Sequence, residues 1–188
     1  MATKVTVPAV FRLRANPARS GLLRLWEMAM GAVRIPGPRR PDGGGVGWPS
    51  ARWSYFGGTL SDVRRLRDWC GSEPGLQNQR GDWVRLVASE LATNAVLHTA
   101  TGEKYGRMGA SIEVLHDRAV LCVLDQGAKA GRPTSVPRVR EQGPNDLCAG
   151  GRGLWLVDRI AEHWWWEGQH GFPLELWATI PLDRDPSA

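Results

Sequence analysis

The chain has 188 residues, 42% of them hydrophobic, and a formal net charge of +5. That is enough chain for one domain with a full core and some extra, it excludes a disordered polymer, and no apolar run approaches the ~18–20 residues of a membrane-spanning helix. The charge is uneven: residues 1–50 hold eight Lys/Arg against two Asp/Glu, so the front segment is strongly basic while the remainder is close to neutral. The N-terminus carries no apolar stretch of the kind a secretory signal needs, and Cys70, Cys122 and Cys148 are odd in number without metal-ligand spacing. Both features fit a reducing cytoplasm.

In chain order, residues 1–50 read as an extension to a domain over 51–182, with a tail at 183–188. Residues 19–33 suit a short helix with Leu22, Leu23, Leu25, Trp26 and Met30 on one side, and residues 35–50 are a Pro- and Gly-rich linker. The basic segment reads either as a partner contact or as a merely soluble tail; it lacks the aromatic–basic interleaving that stacks bases, so nucleic acid is not expected as a partner. Residues 52–57 alternate as a strand. Thr59 or Ser61 can cap a helix through Cys70 that places Val63, Leu66 and Trp69 on one side.

After a connection over 71–81, a second helix is expected to start at Asp82 as N-cap and to end near His98, with Trp83, Leu86, Val87, Leu91 and Ala95 as its apolar pattern. Residues 99–109 read as loop, 110–116 as a strand, and Asp117-Arg118 as a turn. The run Val120-Leu121-Cys122-Val123-Leu124 reads as a strand buried on both faces. A third helix is expected over 153–163. Trp164-Trp165-Trp166 reads as a strand with its first and third rings on one face, and 174–180 as the last strand. Helices alternating with strand pairs imply an α/β two-layer sandwich, with a mixed, mostly antiparallel sheet covered by helices on one face.

Three places in this frame carry chemistry. Glu90, Asn94 and His98 follow one another at four-residue spacing, which stacks a carboxylate, an amide and an imidazole along one face of the second helix. That stripe continues back into Val87 and Trp83, so a pocket is expected over its polar end. A magnesium ion needs few protein oxygens when phosphates and water complete its octahedron, and one amide such as Asn94 would suffice. Asp125 ends the buried strand and is followed by Gln126-Gly127. A carboxylate there can accept a directional hydrogen bond from an exocyclic amine, or bond its own turn. Gly150-Gly151-Arg152-Gly153-Leu154 opens the third helix, where glycines let amides approach phosphate oxygens and the helix dipole favours an anion. Arg152 could neutralise a phosphate or form a salt bridge.

Taken together and in this order, the Glu-Leu-x-x-Asn-Ala-x-x-His helix, the Asp-x-Gly turn and the glycine-rich helix start resemble the ATP-binding fold of gyrase-type topoisomerases, heat-shock chaperones of the ninety-kilodalton class, histidine kinases and mismatch-repair ATPases. The nearest resemblance is to the small anti-sigma-factor serine kinases of bacteria, and it spans roughly residues 54–180. It implies ATP and Mg2+ as cofactors, Asn94 as the metal ligand, and Glu90 as the base that orients and deprotonates a serine hydroxyl. It implies adenine recognition by Asp125 and Gly127, phosphate contacts from Gly151, Arg152, Gly153 and Leu154, and a lid over 128–149. Implied partners are an anti-sigma-factor antagonist or a sigma factor, with homodimers common among relatives and no membrane. An ATP-gated binding switch without phosphotransfer is the alternative. A sensor histidine kinase core fits less well, because no histidine precedes His98. Glu90 paired to Arg85 or Arg107 would be the purely structural reading of that residue. One departure stands out: many relatives carry a Gly-Thr pair whose Thr reaches the adenine site, whereas this chain has Phe172-Pro173-Leu174-Glu175-Leu176-Trp177 there.

Overall fold

The computed structural model describes residues 51–133, 136–139 and 152–183. The expected helix over 19–33, the linker, Cys148, Gly150, Gly151 and most of the expected lid and tail lie outside the described residues. Within them the order is β1 (Arg52–Gly57), α1 (Leu60–Gly71), α2 (Gln79–His98), a 3-10 turn (Ala100–Gly102), β2 (Arg107–Val114), β3 (Arg118–Leu124), α3 (Gly153–Ile160), β4 (His163–Gly168) and β5 (Leu174–Pro181). The strands form one open sheet in the order β1-β2-β3-β5-β4. Every pairing is antiparallel, so the parallel component expected of a mixed sheet is absent among the described strands.

The helices lie on one face, giving an α/β two-layer sandwich. Ala119, Leu121 and Val123 of β3 and Leu176, Ala178 and Ile180 of β5 join Leu66 of α1, Leu91 and Ala92 of α2 and Val157 of α3 in one apolar cluster. Val120, Cys122 and Leu124 alternate to the other face and are buried as well, as is Trp177. The continuous apolar run of β3 thus has a direct cause in burial on both sides. The tryptophan triplet splits as period two requires: Trp164 and Trp166 pack against the helix-side core, while Trp165 stacks on Trp177 with ring centroids 6.0 Å apart.

Helix starts follow local chemistry. Thr59 and Asp62 form a reciprocal capping box at α1. α2 begins earlier than expected, because Asn78 rather than Asp82 is its N-cap, accepting from the Gly81 amide at 3.2 Å. Asn and Asp are near-equal caps, and the chain uses the first one available. Asp82 then sits in the first turn, where the helix dipole favours it, 2.8 Å from Arg85. The same Arg85 donates to the last carbonyl of α1, Gly71 O, at 3.1 Å. Arg52 of β1 donates to Trp69 O, pairs with Glu73 and stacks over the Trp69 ring at 4.4 Å. Two arginines therefore close the C-terminus of α1.

Other boundaries shifted for tertiary reasons. β2 starts at Arg107, inside the expected loop, because that residue pairs with Gly57 of β1. Arg118 already belongs to β3. α3 stops at Ile160 because the Glu162 amide donates to Thr179 O at 2.8 Å and His163 enters the sheet opposite Thr179. Among the described residues no helix is long and apolar enough to cross a membrane.

Because α2 is seated on the core by its apolar face, its two leucines near the C-terminal half should behave differently. Leu91 is fully buried and Leu97 is 53% exposed. Urea denaturation should show Leu91→Ala losing about 2–5 kcal/mol and Leu97→Ala within about 0.5 kcal/mol of the parent. Equal losses would mean that α2 is not seated as described.

Candidate functional site

Asp125 follows the last residue of β3 and is 2% exposed. Its Oδ1 accepts from two backbone amides, Gly127 N at 2.6 Å and Leu174 N at 3.1 Å, while the Asp125 amide itself donates to Leu174 O at 3.0 Å. Oδ2 has no hydrogen-bond partner among the described residues. Burial pushes the carboxyl up from 3.8 to about 6, the two amide donors pulling the other way. A carboxylate desolvated to this degree, with one oxygen locked and the other uncommitted, is an acceptor poised for a ligand's N–H.

Gly127 is the neighbouring half of this arrangement. Its φ of +79° lies in the left-handed region, and a Cβ there would meet the Phe172 carbonyl carbon at 2.7 Å and Pro173 N at 2.9 Å. Only glycine allows the loop after β3 to lie against the β4–β5 hairpin this closely. Further bonds stitch the same region. Ala100 N donates to Gly127 O at 2.8 Å and Ala128 N to Gly171 O at 3.3 Å. Buried Thr101 accepts from Gln126 N at 3.1 Å, and Lys129 Nζ reaches Leu97 O, at the end of α2, at 2.8 Å. The end of α2, the loop after β3 and the β4–β5 hairpin thus meet around Asp125.

The polar stripe of α2 runs up to this junction. Glu90 and Asn94 are half-buried and His98 is exposed. The Asn94 carboxamide has no hydrogen-bond partner among the described residues. Glu90 pairs with neither Arg85 nor Arg107; burial alone raises its carboxyl above the ordinary value. Its carboxylate lies against the start of α3, where a Cβ on Gly153 would come within 2.7 Å of Glu90 Oε2. α3 has no side-chain N-cap: Arg152 stands at that position in helical conformation. The first amides of α3 therefore receive no capping bond from the Arg152 side chain. Arg152 is exposed.

The structure thus brings Glu90 and Gly153 together, and separately Asp125, Gly127 and Leu174. Gly151 lies outside the described residues. Thr101, whose hydroxyl anchors the Asp125 loop, is not among the expected site residues; the Thr-x-Thr-Gly run directly after α2 is the signal for it, since Thr99 caps the 3-10 turn. Nor did the sequence show that Leu174 would act through its backbone N–H at the position where the expected Thr is missing.

A family model described as a histidine kinase-like ATPase domain matches residues 58–174, more than half of the chain. No match is found among curated proteins.

Desolvation of Asp125 has a measurable consequence for the nucleotide-free protein. Its folded pKa lies above its unfolded value, so its contribution to stability is fully present below about pH 4 and is lost as pH rises through about 6. Asp125→Asn removes the charge and keeps an oxygen for the two amides. The variant should match the parent near pH 4 and exceed it by on the order of 2 kcal/mol at pH 7.5, read by chemical denaturation at both pH values. A constant difference across that range would refute the assignment.

Proposed function

The chain belongs to the family of histidine kinase-like ATPase domains, and on that premise we propose that it is a Mg-ATP-dependent regulator acting as a serine/threonine protein kinase of the anti-sigma-factor type on a small antagonist protein. The observation that carries the reading is the half-buried carboxylate of Glu90, unpaired and set against the uncapped start of α3.

ATP supplies the transferable γ-phosphoryl group and, with Mg2+, most of the charge neutralisation that phosphoryl transfer needs. The residues present fit such a ligand. Asp125 Oδ2 accepts the exocyclic N–H of adenine, while the amides on Oδ1 fix the carboxylate's orientation. Gly127 lets the loop after β3 close on the hairpin whose amide holds this carboxylate. Asn94, whose amide oxygen is otherwise unused, contributes one oxygen to Mg2+. Among the described residues no cluster of three or more His, Cys, Asp or Glu is placed to hold a metal, so a single amide donor with phosphate and water around the ion is the arrangement that fits. The amides of Gly153 and Leu154 and the helix dipole of α3 face the phosphates, with Arg152 at the same helix start. Glu90 takes the serine hydroxyl proton; its raised pKa makes it a better base than an exposed carboxylate. Its position against Gly153 supports a role beside the phosphates rather than the base.

Calorimetric titration of the full chain should show ATP binding that is strengthened by Mg2+. Asn94→Ala should lower the affinity at least tenfold, about 1.4 kcal/mol, with magnesium present and much less in its absence. A parent protein that binds no ATP would remove the proposal altogether.

Phosphoryl transfer is tested separately, with radiolabelled ATP and small candidate antagonist proteins. Glu90→Gln should leave ATP affinity within about threefold and lower transfer by roughly 100- to 10,000-fold. Tight ATP binding with no transfer to any antagonist, and a protein complex that forms only with nucleotide, would replace the kinase with an ATP-gated switch.

A further inference from the structure

Phe172 has no role in the reading above, yet its placement is unusual. It lies in the β4–β5 hairpin, between Gly171, whose φ is +87°, and Pro173. Its backbone is held from several directions. Its amide donates to Gln169 O at 2.9 Å, the preceding residue's carbonyl accepts from Ala128 N, and its own carbonyl carbon lies against Gly127 with room for no Cβ between them. Two residues on, the Leu174 amide holds the Asp125 carboxylate. The ring on this fixed backbone is nonetheless 57% exposed.

Exposed apolar side chains are common singly, but most sit on segments free to move. Here a loop held by hydrogen bonds presents an aromatic ring two residues from Leu174, whose amide holds the carboxylate proposed to read the base. The chain also lacks a side-chain hydroxyl at the start of β5, the place where the resemblance led one to expect a threonine. A carboxylate and a backbone approach read the edge of a purine; neither covers its apolar face. An aromatic face offers what they lack, because stacking is available to a base whatever its hydrogen-bonding edge.

We infer that Phe172 forms a wall of the base site, its ring packing on the base of the bound nucleotide. This rests on the nucleotide-binding reading above. The contact strengthens nucleotide binding, while Leu174 N fixes Asp125. Phe172 is thus a binding residue that acts on affinity, whereas discrimination between bases stays with Asp125.

The test is calorimetry of the full chain with two probes, Mg-ATP and ribose 5-triphosphate, which has the phosphates but no base. Phe172→Ala should weaken Mg-ATP by about tenfold, the order expected for removing one stacked ring, and leave ribose 5-triphosphate unchanged. Phe172→Trp should restore or exceed parental affinity for Mg-ATP. Thermal melting of the nucleotide-free variants should match the parent, because the ring is mostly exposed. Equal Mg-ATP affinity in parent and Phe172→Ala overturns the inference and leaves the nucleotide site standing. Equal losses for both probes also overturn it, since the ring would then act on the loop rather than on the base. Absence of Mg-ATP binding by the parent removes both.

Discussion

The Asp125 carboxylate is the point on which this end of the molecule depends. One of its oxygens receives two backbone amides from different parts of the chain, and the strand that carries it is buried on both faces. A buried charge is tolerated only with hydrogen bonds to it, and here those bonds also do positional work. They fix the loop after β3 against the β4–β5 hairpin, and through Gly127 and Thr101 they fix both to the end of α2. Removing the hairpin amide would leave the carboxylate short of a donor. The hairpin, in turn, can approach only because Gly127 has no side chain. The anchor on the hairpin side is a main-chain N–H, which any non-proline residue supplies.

α2 serves the fold and the site with different faces. Val84, Val87, Ala88, Leu91, Ala92 and Ala95 are buried against the sheet. The stripe of Glu90 and Asn94 is left half-buried, with neither side chain committed elsewhere. Functional groups on a packed helix are held more firmly than groups on a loop, and the contact between Glu90 and the start of α3 uses that rigidity. Gly153 matters here for space rather than for conformation. A methyl group at that position would displace the end of a flexible side chain, so its effect would fall on the carboxylate's position more than on the fold.

Much of this was readable from residues alone where the signal was local. β1 spans the residues its alternation indicated, the apolar run of β3 is buried on both sides, and the three tryptophans of β4 divide between the faces as period two demands. The stripe at 90, 94 and 98 followed from four-residue spacing. What escaped was set by tertiary partners. Two residues of equal capping ability, Asn78 and Asp82, cannot be ranked without knowing that Gly81 is buried against Leu76. The early start of β2 comes from its pairing with the end of β1. The Leu174 amide could not be foreseen, because backbone donors leave no mark in the sequence. The all-antiparallel order likewise depends on which strand β5 inserts beside, a choice that hydrophobic pattern does not encode.

The two ends of the sheet differ in a way that bears on function. At the end where α1 stops and α2 begins, polar groups lie among protein partners, Arg52 with Glu73 and Trp69 O, Arg85 with Asp82 and Gly71 O, Asn78 with Gly81, although Arg52 Nε and Glu73 Oε1 are buried without a hydrogen bond of their own. At the other end lie a carboxylate pushed up to about 6, an unpaired half-buried glutamate, an unbonded amide, an uncapped helix start and an exposed phenylalanine on a fixed loop. Each of these is neutral or unfavourable for folding, and chance would scatter them. A sequence whose local choices otherwise agree with its fold departs from that agreement where another demand acts on it. The groups also divide by chemistry along the end of the sheet. Acceptor, glycine and aromatic ring gather at the β4–β5 hairpin, while base, amide oxygen and helix start gather along α2 and α3. On the proposed reading, the first group meets the planar, amine-bearing head of the nucleotide and the second its anionic tail.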